Sequence, residues 1–123
     1  MEFLWKKRIL LVFSPTAFDV SFKAFNQSLY EKLNDVLDRD MIVCRIIEKG
    51  PSQLDEQTLA PEEAEELRRH FEVKPGCFTV ILVGKDGGVK MVRKERTDLQ
   101  EIFDLIDSMP MVQQEMRESI KAH

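Results

Sequence analysis

Apolar residues occur along this chain in two patterns: short continuous runs, and longer stretches where they recur every three or four positions. Ile9-Leu10-Leu11-Val12-Phe13 is a continuous run between Lys6-Lys7-Arg8 and Ser14-Pro15. A run this short with such borders predicts a strand buried on both faces. Phe22, Phe25, Leu29, Leu33, Val36 and Leu37 follow at i, i+3, i+7, i+11, i+14 and i+15. That spacing predicts one apolar stripe on a helix of about 18 residues, with Asp19 or Ser21 capping its start. After Arg39-Asp40, residues 41–47 predict a second strand.

Residues 48–59 carry Gly50-Pro51 and mixed polar positions, and predict a loop. Pro61 suits the first turn of a helix. Glu62, Glu63, Glu65 and Glu66 at its start and Arg68, Arg69 and His70 at its end both favour the helix dipole. Ala64, Leu67 and Phe71 supply a narrow apolar side. Lys74-Pro75-Gly76 breaks the chain, and residues 78–83 predict a third strand. Lys85-Asp86-Gly87-Gly88 is a hairpin signal, because Asp-Gly and Gly-Gly accept the positive φ of tight turns. The returning strand, 89–93, places Val89 and Met91 on one face. Thr97 and Gln100 match a capping box ahead of Leu99, Ile102, Phe103 and Ile106. Pro110 opens a tail helix over about 110–121 with Val112, Met116 and Ile120.

The order is β-α-β-α-β-β-α plus the tail helix. A β-α-β unit makes its strands parallel through a right-handed crossover, and a hairpin makes the last two antiparallel. The most apolar strands, the first and third, belong at the centre, and the charged last strand belongs at an edge. These rules predict an α/β, thioredoxin-like fold: a four-stranded mixed sheet of order 2-1-3-4 with helices on both faces.

Composition narrows the classes. The chain has 123 residues, 43% apolar and 33% charged, with 18 basic and 22 acidic side chains and a net charge of −4. That describes one globular domain, 1–123, able to bury roughly two-thirds of its unfolded surface. The acidic balance leaves no basic stripe for nucleic acid. Two cysteines and two histidines predict neither a disulfide scaffold nor a metal site, and no cofactor motif occurs. The longest apolar run is far short of the about 20 residues a bilayer span needs, so no membrane insertion is expected. Basic residues precede that run as in a leader, but no small-residue cleavage site follows, so the chain as written carries no export signal.

Several segments together resemble an uncharacterised thioredoxin-like domain family. That family occurs in bacterial proteins and as a module of vertebrate extracellular proteins such as Equarin and the sushi-repeat-containing proteins. The segments are Trp5-Lys6-x-Arg8 with Leu10-Leu11-Val12-Phe13-Ser14-Pro15, and Arg39-Asp40. They continue with Phe78-x-Val80-x-Leu82-Val83-Gly84-Lys85-Asp86-Gly87-Gly88-Val89-Lys90 and Asp107-x-Met109-Pro110-Met111-x-x-Gln114-Glu115-Met116. The resemblance implies the fold and little chemistry, and it leaves a periplasmic or extracellular location open.

Ligands of open α/β sheets gather beyond the carboxyl ends of the strands. Here that place is Ser14-Pro15-Thr16-Ala17-Phe18-Asp19. Redox members of the thioredoxin superfamily keep their nucleophilic cysteine there, yet no cysteine precedes Cys44. Serine cannot replace the thiolate without a base. Thr79 falls near the place where redox thioredoxins open the third strand with a cis-proline. Ser14, Thr16, Asp19 and Thr79 are therefore the binding candidates, with turn chemistry and helix capping as the competing explanation.

Cys44 reads as a buried, inert thiol. Cys77, at the start of the third strand, is the catalytic candidate, on condition of exposure and a lowered pKa. A Cys44–Cys77 bridge is not expected, because the first strand separates the two by roughly 9–10 Å while a disulfide needs Cα atoms about 4.4–6.8 Å apart. Met109, Met111 and Met116 are interface candidates, since methionine adapts to partner surfaces as well as to cores. Two functions follow: a non-redox binding module with a protein partner or a second copy, or a divergent peroxiredoxin-like thiol enzyme using Cys77.

Overall fold

A computed structural model describes residues 7–94 and 97–108. The elements run β1 (Arg8–Ser14), α1 (Val20–Glu31), α2 (Leu33–Asp38), β2 (Met41–Ile47), β3 (Ser52–Leu54) and β4 (Gln57–Leu59). They continue with α3 (Pro61–His70), β5 (Thr79–Val83), β6 (Val89–Arg93) and α4 (Leu99–Asp107). The sheet order is β4-β3-β2-β1-β5-β6. β1 lies parallel to β2, with Ser14 beside Ile47, and antiparallel to β5, with Phe13 beside Thr79.

Every residue of β1 is buried. Leu10 and Val12 point into the layer beneath α1, α2 and α4, while Ile9, Leu11 and Phe13 point into the layer that includes Ala64 of α3. The alternation follows from the two-residue period of a strand. Burial of each such apolar side chain is worth about 1.5–3 kcal/mol before entropy is counted, which makes β1 the axis of both layers.

The central order of the four long strands is as the sequence predicts. The sheet nonetheless has six strands, because residues 48–59 are not all loop. β3 and β4 form a hairpin around Asp55-Glu56, with Asp55 at φ 56. Strands of three residues carry too few positions for an alternating pattern to show.

The long first helix is two helices. Ser28 Oγ donates back to Ala24 O at 3.2 Å, a bond that bends helices, and Lys32 leaves helical geometry at φ −115°. Val36 stays in the core, but Leu33 and Leu37 turn outward, 50% and 59% exposed. α4 begins one residue later than the Thr97–Gln100 capping box predicts. Asp98 is its N-cap, accepting from Gln100 N at 3.0 Å, and a carboxylate there also meets the helix dipole.

The turn after β5 forms as predicted, with Gly87 at φ 81 and Gly84 N donating to Gly88 O at 2.9 Å. Met91 pairs with Leu82 and Val89 with Val83, so Lys90 is the extra residue of a bulge. Val89 and Met91 therefore leave the shared face expected of them: Met91 is buried and Val89 is exposed. Met109, Met111, Met116 and the tail helix lie outside the described residues. No helix among the described residues is long and apolar enough to cross a membrane.

Candidate functional site

The turn from β1 to α1 sits at the carboxyl ends of the two parallel strands, where the chain must leave the sheet. Its polar groups bond mainly to each other. Ser14 is buried, and its Oγ donates to Thr16 O at 2.7 Å. Thr16 Oγ1 accepts from Phe18 N at 3.2 Å, and Asp19 Oδ2 accepts from Phe22 N at 3.1 Å as the N-cap of α1. The strand carbonyls are taken as well: Glu48 N donates to Ser14 O at 3.0 Å and Lys49 N to Pro15 O at 3.1 Å. Phe18 and Val20 project from this turn, 83% and 78% exposed.

The start of β5 comes to the same end of the sheet. Thr79 is buried beside Phe13. Cys77 lies two residues earlier, exposed and free. Glu48 Oε2 accepts from Gly76 N at 2.8 Å, which ties the segment before Cys77 to the end of β2. The structure thus gathers Ser14, Thr16, Asp19, Cys77 and Thr79 at one end. Two surface grooves, of about 240 and 430 Å³, lie elsewhere, and none of these five residues lines either.

Cys44 is on β2 in the layer under α3, with β1 between its strand and that of Thr79. Burial pushes its thiol up to about 12, far from a thiolate at neutral pH. His70 is exposed at the end of α3, its ring edge-on to Phe71 with centroids 4.8 Å apart. Glu62, Glu63, Glu65 and Glu66 form an exposed face of α3.

A family profile described as "Domain of unknown function (DUF4174)" matches residues 1–115. The chain belongs to the DUF4174 family. Among curated relatives, Coiled-coil domain-containing protein 80 of Danio rerio is 26% identical over 134 residues, covering 94% of this chain and 15% of that protein. Sushi repeat-containing protein SRPX2 of Xenopus laevis is 24% identical over 110 residues, covering 87% of this chain and 24% of its own length. This DUF4174 chain therefore spans a quarter or less of those relatives.

Solved structures give the fold. The reduced 2-Cys peroxiredoxin of Plasmodium vivax superposes with a TM-score of 0.67 at 16% identity, over 94% of this chain and 83% of that one. A thioredoxin-fold protein from Helicobacter pylori gives 0.58 at 14% identity, over 82% and 67%. At these identities the likeness is one of fold: the DUF4174 chain is thioredoxin-like.

Sequence reasoning missed a second cluster, at the opposite end of the sheet. Arg39 sends Nε to Asp107 Oδ1 at 3.0 Å and Nη2 to Oδ2 at 2.7 Å, and its guanidinium lies 4.3 Å over the Phe103 ring. Asp40 meets Lys85 Nζ at 3.0 Å, and Arg8 Nη1 donates to Arg39 O at 2.8 Å. Arg8, Arg39-Asp40, Lys85 and Asp107 all belong to the segments that carry the family resemblance. The signal was present in that shared set, although nothing local joins its members.

Proposed function

We propose that this DUF4174 chain is a non-redox interaction module, which contacts a protein partner through the β1–α1 turn. The observation that carries this reading is the turn itself. It holds no sulfur, its Ser14, Thr16 and Asp19 oxygens serve its own backbone, and it presents Phe18 and Val20 to solvent. A site that stabilises a developing charge needs donors aimed at that charge; here the side-chain hydrogen bonds point inward. Matching segments within much longer relatives agree with a module that works as part of a larger protein.

The thiol-enzyme reading rests on Cys77, which is exposed at the same end of the sheet. In that reading a Cys77 thiolate attacks one oxygen of hydrogen peroxide and the O–O bond breaks; the sulfur keeps that oxygen as a sulfenic acid, the other leaves as hydroxide and takes a proton from water, and an added small thiol reduces the sulfenic acid back to the thiol. One experiment separates the two. Insulin reduction and peroxide consumption are measured for the chain and for Cys77→Ser. The module reading expects equal background rates; turnover that disappears in Cys77→Ser replaces it with the thiol enzyme.

A further inference from the structure

We propose that the hollow between α2 and the β3–β4 hairpin binds a small zwitterion, a free α-amino acid with an apolar side chain, whose carboxylate pairs with Arg45 and whose ammonium pairs with Asp55. Met41, Val43, Arg45 and Ile47 share one face of β2, and the other three belong to the core beneath α1 and α2. A charge in such a row breaks the apolar pattern, and broken patterns concentrate at functional sites.

The Arg45 guanidinium is fixed in place. Its Nε donates to Asn26 Oδ1 at 2.6 Å, and it lies over the Tyr30 ring, 5.4 Å from the centroid. Its two Nη groups have no hydrogen-bond or ion-pair partner among the described residues, although the side chain is half buried and lines the hollow. Two unused donors on a held, planar fork suit a carboxylate, which accepts both in parallel.

A bare anion does not fit, because Asp55 and Glu56 line the same hollow and have no hydrogen-bond or ion-pair partner among the described residues. With Arg45 they are all the charges of its described lining. Asp55 N donates to Val43 O at 2.8 Å, so Asp55 sits two strand positions from Arg45, about 6.6–6.8 Å along β2. No ion pair joins the two directly, and a ligand carrying both charges a few atoms apart bridges them. Glu56, at the turn, is exposed and stays hydrated. Leu33 and Leu37, half exposed, stand over Met41 and Val43 and give an apolar side chain its wall. The hollow measures about 240 Å³. Sites for drug-sized molecules start at roughly 300 Å³, so this one suits a smaller ligand.

The test titrates the full, isotope-labelled chain with L-leucine and follows backbone amide signals. Saturable shifts of Leu33, Leu37 and Asp55 at millimolar leucine are expected, with Phe18 and Val89 unmoved. N-acetyl-leucine lacks the cation and leucinamide lacks the anion; each is expected to bind about tenfold more weakly or worse. Asp55→Asn keeps a side chain that tolerates the backbone at φ 56 and removes the charge, and is expected to weaken leucine by about tenfold. Asp55 is exposed, so this variant keeps the fold, which the β1 signals verify. No shift with leucine overturns the proposal, as does equal binding of either analogue or an unchanged affinity in Asp55→Asn. Equal shifts with inorganic phosphate also overturn it and assign Arg45 to bare anions. None of these outcomes depends on the β1–α1 turn or on Cys77.

Discussion

Asp40 takes a left-handed conformation, φ 50, which aspartate tolerates better than most residues, and it holds β2's first residue in place through Lys85 at 3.0 Å and Lys7 at 3.7 Å. The hydrogen bond from Lys85 keeps its carboxyl below the ordinary value of 3.8. A carboxylate with a lower pKa folded than unfolded stabilises the fold at neutral pH, and that contribution is lost as pH falls through the folded value. Asp40→Asn keeps the backbone tolerance and removes the pairing. Since Asp40 is half exposed, the expected loss is only about 0.5 kcal/mol at pH 7. Urea denaturation of both chains checks it: the difference should close below the carboxylate range. At this scale the sequence was partly legible. Asp19 caps α1 as its position ahead of Val20 suggests, whereas Asp98 displaced Thr97 because the choice depends on where α4 begins against the sheet.

At the scale of elements, Arg39 adds a polar tie between α4 and the α2–β2 corner to the apolar core they share. Arg39 makes two charge-assisted bonds to Asp107, covers Phe103 and donates to Asp35 O at 2.9 Å, and lysine cannot reproduce that planar fork. Arg39→Ala is expected to cost about 2 kcal/mol, with a coupling of about 1 kcal/mol to Asp107→Ala in a double-mutant cycle. Thermal or urea unfolding of the four chains measures it; additive losses would show that the pair does not act as a unit. The long strands and α3 were legible because their apolar runs and end charges are local. The break at Lys32 was not, since the stripe of Phe22 to Leu37 fits one straight helix as well as two. The β3–β4 hairpin was hidden by its brevity.

For the whole molecule, the parallel pair β1–β2 gives the sheet two ends with different side chains. The carboxyl end gathers Ser14, Thr16, Asp19, Cys77 and Thr79; the amino end gathers Arg8, Arg39, Asp40, Lys85 and Asp107. Cys44 is buried and Cys77 exposed, and β1 lies between β2, which holds Cys44, and β5, which begins two residues after Cys77. Mild oxidation should therefore join two chains through Cys77 and form no internal bridge. Non-reducing electrophoresis reads this directly: a dimer band absent from Cys77→Ser is expected, and a faster-migrating monomer would contradict the strand order.

By itself, the order of residues settled that β1 is buried on both faces, that β2 runs parallel to it, and that no sulfur occupies the first strand–helix turn. The first and last of these follow from neighbours within a few positions, and the second from the β-α-β order, whose crossover makes the two strands parallel. Only the tertiary structure decided which apolar residues of the first helical stretch stay outside the core, and how Arg39 meets Asp107 and Asp40 meets Lys85. Those partners are 68 and 45 residues apart. Such contacts exist only after the sheet has closed the intervening chain, so no local pattern records them.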